Sequence, residues 1–180
     1  MSKSYRIIEN FDTAGAWTIL GDATENKAAS AARITGAYSL EFDKKNGTNL
    51  LDAGASKTFS GGDIPIFQDM TPMDYMVAEF YVQTLTDVAY AFVRMGTSAS
   101  AYVEWKFLDT GMVVGWNQMA VKIGTCNQYN TTTGSWTPFP IKLTDPTYLA
   151  VGVYFDAEDK TLADIKFDHI AVVKAERTVT

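Results

Sequence analysis

Along most of the chain apolar and polar residues alternate with a period of two, the signature of strands buried on one side. "YSLEFDK" (38–44) sets Tyr38, Leu40 and Phe42 against Ser39, Glu41 and Asp43. "AYVEWKF" (101–107) sets Tyr102, Glu104 and Lys106 against Val103, Trp105 and Phe107. "YRIIENF" (5–11), "YMVAEFYVQT" (75–84), "DVAYAFVRMGT" (87–97), "MVVGW", "QMAVKIG" and "IKFDHIAVVKA" (165–175) read the same way. The pair 75–84 and 87–97 is joined by a short turn, and "YLAVGVYFD" (148–156) is apolar enough for the middle of a packed sheet. Gly, Asn, Asp and Pro clusters ("KKNG", "SGGDIP", "LDTG", "TDPT", "DAEDK") punctuate the strands. Many short strands at fairly regular spacing predict an antiparallel sandwich or barrel in one domain spanning 1–180. The run nearest to a helical period is "TENKAASAARI" (24–34); its alanines favour helix, but its place between strands predicts a strand or short turn at its end.

The break in "GMVVGWNQMAVKIG" (111–124) has a structural reading. Gly115 permits a tight bend, Trp116 covers the open end of the core, and Asn117 bonds local backbone groups. A ligand contact by Trp116 is the other reading.

Composition narrows the function more than the fold. The formal charge of −6 and pI near 4.7 argue against nucleic acid, whose phosphates need a basic face, and against anionic membranes. No segment has the length of a membrane span, and the start "MSKSYRIIENFD" lacks an apolar secretory core. Cys126 is the single cysteine, so no disulfide forms within the chain. A reducing cytoplasm is expected, or a part made there and released as virus particles are; the initial Met predicts a complete chain.

Catalytic constellations are scarce. The one histidine, His169, reads as a half-exposed strand residue, sharing a face with Phe167 and Ala171 if the alternation is unbroken. A Cys126–His169 pair lacks any supporting motif. Asp156, Glu158 and Asp159 in "DAEDK" read as an acidic turn, and no Glu-x-Asp-x-x-Glu run exists. A hydrolase using Glu104 or Asp168 ranks last.

The candidate surface is "CNQYNTTTGSWTPFPIKLTDPT" (126–147), long for a loop and studded with Tyr129, Trp136 and Phe139. In one reading Tyr129 and Trp136 stack on a sugar ring while Asn127, Gln128 and Asn130 bond its hydroxyls. In another the aromatics anchor a protein contact; in a third Trp136 and Phe139 cover a sheet edge. The Met-rich "DIPIFQDMTPMDYM" (63–76) is a contact surface or a filler under a loop, and the tail "AERTVT" is suited to a neighbour's sheet edge.

The order "ENFDTAGAWTILG", "GAYSLEFDK", paired long strands, "GWNQMAVKIG", "YLAVGVYF", "IKFDHIAVVK" resembles the jelly-roll β-sandwiches of carbohydrate-binding modules and galactose-binding-like domains, over roughly residues 8 to 174. The resemblance implies an all-β, two-sheet antiparallel sandwich. It also implies a structural calcium held by the first and last strands, with Glu9, Asp12 and Asp168 in the regions that would supply ligands; no other cofactor is expected. Similar domains occur in bacteriophage capsid decoration and fibre proteins. The leading expectation is therefore a non-catalytic virion component, packed on partner subunits as a homo-oligomer or on a capsid protein. The alternative is a carbohydrate-binding module recognising glycans through its aromatic platform.

Overall fold

Most of the alternating segments form strands, and the register between those strands decides which side chains share a face. The computed structural model describes residues 5–12, 17–29, 34, 36–45, 50–59, 64, 70–130, 135–138 and 146–175, with 25–29, 128–130 and 135–138 described by backbone. Among them, in chain order, are β1 (Tyr5–Glu9), β2 (Thr18–Gly21), β3 (Ala23–Ala29), β4 (Ser39–Lys44), β5 (Asp52–Thr58), β6 (Tyr75–Val82) and β7 (Val88–Ser98). There follow β8 (Ala101–Leu108), β9 (Gly115–Lys122), β10 (Asn127–Asn130), β11 (Ser135–Pro138), β12 (Tyr148–Phe155) and β13 (Leu162–Val173). The first sheet runs β3-β4-β13-β6-β9, with β1 also paired to β13; the second runs β11-β10-β8-β7-β12-β5-β2. Adjacent strands are antiparallel, and the fold is a two-sheet β-sandwich.

The inward residues of both sheets form one core. Ala91, Val93 and Met95 of β7, Val103, Trp105 and Phe107 of β8 and Leu149, Val151, Val153 and Phe155 of β12 face Met76, Phe80, Phe42, Phe167 and Ile170 of the other sheet. Phe80 bridges the layers, its ring centroid 6.1 Å from Phe107 and 5.6 Å from Phe167. Trp105 donates its indole N–H to the Ile123 carbonyl at 3.1 Å, which satisfies the polar atom of a fully buried ring.

The run 24–34 opens inside strand β3, where pairing along β4 outweighs the small helical preference of its alanines. Four expectations need correction. The segments 75–84 and 87–97 do not pair across their short turn: β6 lies in the first sheet between β13 and β9, and β7 in the second between β8 and β12, so the turn crosses from one layer to the other. The alternation in β13 is broken by a bulge between Phe167 and His169. Phe167 therefore enters the core while His169 and Ala171 stay on the outer side. His169 is buried rather than half-exposed, since Tyr5 of β1 stacks on it with ring centroids 5.7 Å apart. The segment 126–147 is not one loop: β10 and β11 form a hairpin that extends the second sheet.

The turn at 111–117 behaves as read, except for its tryptophan. Gly115 has φ +104°, a conformation that L side chains rarely adopt. Asn117 accepts from the Val113 N–H at 2.8 Å and donates to the carbonyls of Val113 (2.9 Å) and Gly115 (3.0 Å). Trp116 points the other way, to the outer side of the first sheet, and packs edge-on against Tyr81 at 5.8 Å instead of closing the core. Asn117→Ala removes three bonds from a buried side chain and should lower the unfolding free energy by about 2 kcal/mol, read by urea titration. An unchanged midpoint would show that the turn does not need them.

Candidate functional site

The outward side of the second sheet carries a set of rings and charges that single-strand patterns do not reveal. Strands β5, β12, β7 and β8 lie side by side, and their register builds cross-strand rows. One row is Thr58, Tyr148, Gly96, Tyr102; the next is Ser56, Ala150, Arg94, Glu104, continued by Asn127 of β10. Then come Gly54, Gly152, Phe92, Lys106 and finally Asp52, Tyr154, Tyr90, Leu108. Tyrosine pairs thus close both ends of a strip whose middle is made of small and charged residues. Tyr148 and Tyr154 are six residues apart on one strand, about 20 Å at the usual rise.

Glycine shapes this strip at one position above all. A Cβ on Gly152 would sit 2.5 Å from Phe92 Cζ, so only glycine lets Phe92 lie flat on the sheet. The Arg94 guanidinium covers Phe92, its Cζ 3.9 Å from the ring centroid, and also lies 5.2 Å from the Tyr102 centroid. Phe92 is therefore fully buried although it belongs to the outer face and not to the core. At the other end Tyr90 and Tyr154 stack in parallel at 4.8 Å, with Lys106 Nζ 4.3 Å from the Tyr90 centroid.

Arg94 is held by two carboxylates: Nε bonds Glu104 Oε2 at 2.7 Å and Nη1 bonds Asp52 Oδ2 at 2.9 Å. Lys106 Nζ lies 3.7 Å from Glu104 Oε1. Two cations and two anions cancel, so the strip is polar without net charge. Burial works against the Arg94 charge, but Glu104, Tyr102 and Asp52 outweigh it and its pKa is raised. Burial is also the largest cause raising the pKa values of Tyr90, Tyr102, Tyr148 and Tyr154; Asp52 adds to it at all four, and Glu104 at Tyr90, Tyr102 and Tyr154. Every hydroxyl of the four stays protonated at neutral pH and can both donate and accept.

That protonation has a measurable consequence. In an unfolded chain phenols ionise near pH 10. The folded chain holds these four, and Tyr5, as neutral phenols beyond that pH. Their contribution to stability is complete below pH 10 and drains away as pH rises through the raised folded values. Absorbance at 295 nm should therefore show fewer than the nine tyrosines ionised at pH 11, the rest appearing on denaturation. All nine titrating together near pH 10 in the folded protein would contradict this.

Of the residues singled out from sequence, Asn127 joins the Glu104 row. Tyr129 and Trp136 are register partners on the β10–β11 hairpin, as are Gln128 with Thr137 and Asn130 with Ser135, at the edge of this sheet. Phe139 lies outside the described residues, as do most of 63–69 and the tail 176–180. Trp116 belongs to the other sheet. Cys126 is a core residue whose thiol burial pushes up to about 12, and His169 is on an outer face, so the two form no pair. Asp156, Glu158 and Asp159 sit in the turn after β12.

The three carboxylates in the regions of the implied calcium do not fit one. Glu9 is spent on Lys57 Nζ at 2.6 Å and on the Phe11 N–H at 3.0 Å. Asp12 accepts from Asn10 Nδ2, and also takes the N–H groups of Ala37 and Tyr38. Asp168 takes the Ile34 N–H at 2.6 Å. A divalent ion at Glu9 would have to displace a lysine already there, and among the described residues no group of three or more acidic, His or Cys side chains is placed to hold a metal.

Tyr90, Arg94, Tyr148, Tyr154, Asp52 and Lys106 escaped sequence reasoning. A signal was present: "YAFVR", "YVEWK" and "YLAVGVY" each put Tyr at the outward parity. A depression between Asp43, Gln83 and Thr161 lies at an end of the first sheet, away from these rings.

No protein-family model matches the chain, and neither does any curated protein. Solved structures do share the fold. A family 11 carbohydrate-binding module from Clostridium thermocellum, in complex with a β-1,3-1,4-mixed-linked tetrasaccharide, superposes with a TM-score of 0.61 at 11% identity, over 97% of this chain and 98% of that one. The family 11 module of the cellulosomal cellulase Lic26A-Cel5E of the same organism gives 0.59 at 10% identity, over 97% of both chains. A structure from the β-sandwich superfamily of carbohydrate-binding modules gives 0.56 at 15% identity, over 92% of this chain and 60% of that one. At these identities the likeness is one of fold, the jelly-roll β-sandwich.

Proposed function

We propose that the chain is a non-catalytic glycan-binding module, and that its ligand lies along the outward side of the second sheet between Tyr102–Tyr148 and Tyr90–Tyr154. The observation that carries this is the charge-neutral polar strip closed at both ends by tyrosine pairs. Flat rings match the apolar C–H face of a pyranose, and the tyrosine hydroxyls, Ser56, Asn127 and Lys106 supply bonds for its hydroxyls. The length of the strip suits an oligosaccharide better than one sugar. Similarity in fold to a module solved with a tetrasaccharide supports the ligand class. Asp52 and Glu104 are tied to Arg94, which leaves the pair poorly suited to acid–base hydrolysis. Recognition in this reading needs no metal. The virion reading has no specific observation on its side and gives way to this one.

Calorimetric titration with mixed-linked, cello-, xylo- and manno-oligosaccharides tests the proposal. Tyr154→Ala and Tyr102→Ala should each weaken binding about tenfold, the worth of one aromatic contact, with the fold intact. Binding that neither substitution affects would place the ligand elsewhere; no binding would remove the function.

A further inference from the structure

The opposite side of the sandwich has a second set of rings and polar groups that the reading above does not use. Register across the first sheet aligns Glu41, Lys166, Tyr81 and Trp116 in one outward row. The adjacent row is His169, Glu79, Gln118. Trp116 and Tyr81 are both half-buried and meet edge-on, interplanar angle 64°, so together they form a corner and not a closed stack. Lys166 Nζ lies 4.7 Å from the Tyr81 centroid.

The polar row holds unspent hydrogen-bonding capacity. Glu79 and His169 are 6% and 5% exposed, yet Glu79 Oε2 and His169 Nδ1 have no hydrogen-bond partner. The remaining atoms are engaged: Gln118 donates to Glu79 Oε1, and the Tyr5 hydroxyl bonds His169 Nε2. Orphaned polar atoms in a buried setting are costly and call for a partner. Here they lie on the outer side of the sheet, in one row with the exposed Gln118 and next to the row of Tyr81 and Trp116.

Charge selects the class of partner. Lys166 is already held by Glu41 at 3.3 Å and Asp164 at 3.5 Å. Lys166 is the one cation among the described residues of these two rows, so none is left there for an anion, and Glu79 repels one. A neutral, hydroxyl-bearing molecule with an apolar face fits both rows.

We propose that this side of the first sheet is a second carbohydrate site, with Trp116 and Tyr81 stacking a neutral sugar and Glu79, Gln118 and His169 bonding its hydroxyls. The chain then holds two glycan segments on opposite faces and can bridge polysaccharide chains. The inference shares with the proposed function only the class of ligand.

Titration of the whole chain with the mixed-linked tetrasaccharide and with cello-, xylo- and mannotetraose should give two sites per chain. Trp116→Ala and Glu79→Gln should each leave one, the one that Tyr154→Ala weakens about tenfold, and Trp116→Phe should retain two. Long mixed-linked glucan should be aggregated by the native chain and not by Trp116→Ala. A single site weakened by Tyr154→Ala and indifferent to Trp116→Ala and Glu79→Gln overturns the second face and keeps the first. A single site with the reverse pattern overturns the first face and keeps the second. No binding of any of the four probes overturns both.

Discussion

Replacing Lys44 by methionine should lower the unfolding free energy by about 3–5 kcal/mol, the usual loss when one partner of a buried ion pair is removed. For a chain of this length that is a fall in Tm on the order of 10 °C. Lys44 is 1% exposed. Its ammonium bonds Asp22 Oδ2 at 3.1 Å, the Leu50 carbonyl at 2.8 Å and the Glu158 carbonyl at 3.3 Å. Those acceptors come from three separate turns, each of which leads into or out of the second sheet, while Lys44 itself ends β4 of the first. The lysine thus ties the layers together at one end. Methionine keeps the volume of the stem but leaves Asp22 charged and buried, with only the Leu50 N–H and other local contacts. Asp22→Asn in the same chain should recover part of the loss, because the amide carries no charge to strand. Guanidinium titration of the native, single and double variants reads the outcome. A single variant within about 1 kcal/mol of native would mean that water reaches Asp22 readily and the lysine is not a tie.

The elements legible in the sequence were those whose inward residues are bulky and evenly spaced. Residues 75–82, 88–98 and 148–155 have such patterns, and each is a strand. Strand β3 was less legible because alanine carries almost no periodic signal. The bulge in β13 was invisible because "KFDHI" reads equally well in either parity; only the presence of Phe42 and Phe80 beside Phe167 fixes it. The candidate site was harder. Outward residues on a strand look like a solvated face until neighbouring strands are known. The β7–β8 neighbourhood is a local hairpin, but β12 inserts between β7 and β5 from more than fifty residues away. Tyr148 and Tyr154 gain their partners through that non-local pairing. Aromatic residues in long loops stand out in the sequence instead, because they have no obvious structural employment there. Phe92 shows the limit most clearly: its burial depends on Gly152 below and Arg94 above, two residues on two strands.

Arg94 is where fold and function meet, and Arg94→Met should damage both. The guanidinium is 8% exposed and neutralises Glu104, whose side chain is fully buried, together with Asp52 at 19%. Removing it strands two carboxylates, again at a cost of about 3–5 kcal/mol. It also uncovers Phe92 and frees Tyr102 from the stack that fixes its ring, so oligosaccharide binding should fall with stability. The two effects separate in further variants. Arg94→Met combined with Glu104→Gln should regain at least half of the lost stability, since the buried charge is gone, yet binding should stay weak because nothing flat covers Phe92. Arg94→Lys should fold but cannot reach Glu104 and Asp52 at once in the geometry of a fork. It should therefore bind more weakly than native with only a modest loss of stability. If Arg94→Lys bound as native, the guanidinium would be a structural clamp alone, and the tyrosines would carry recognition without it.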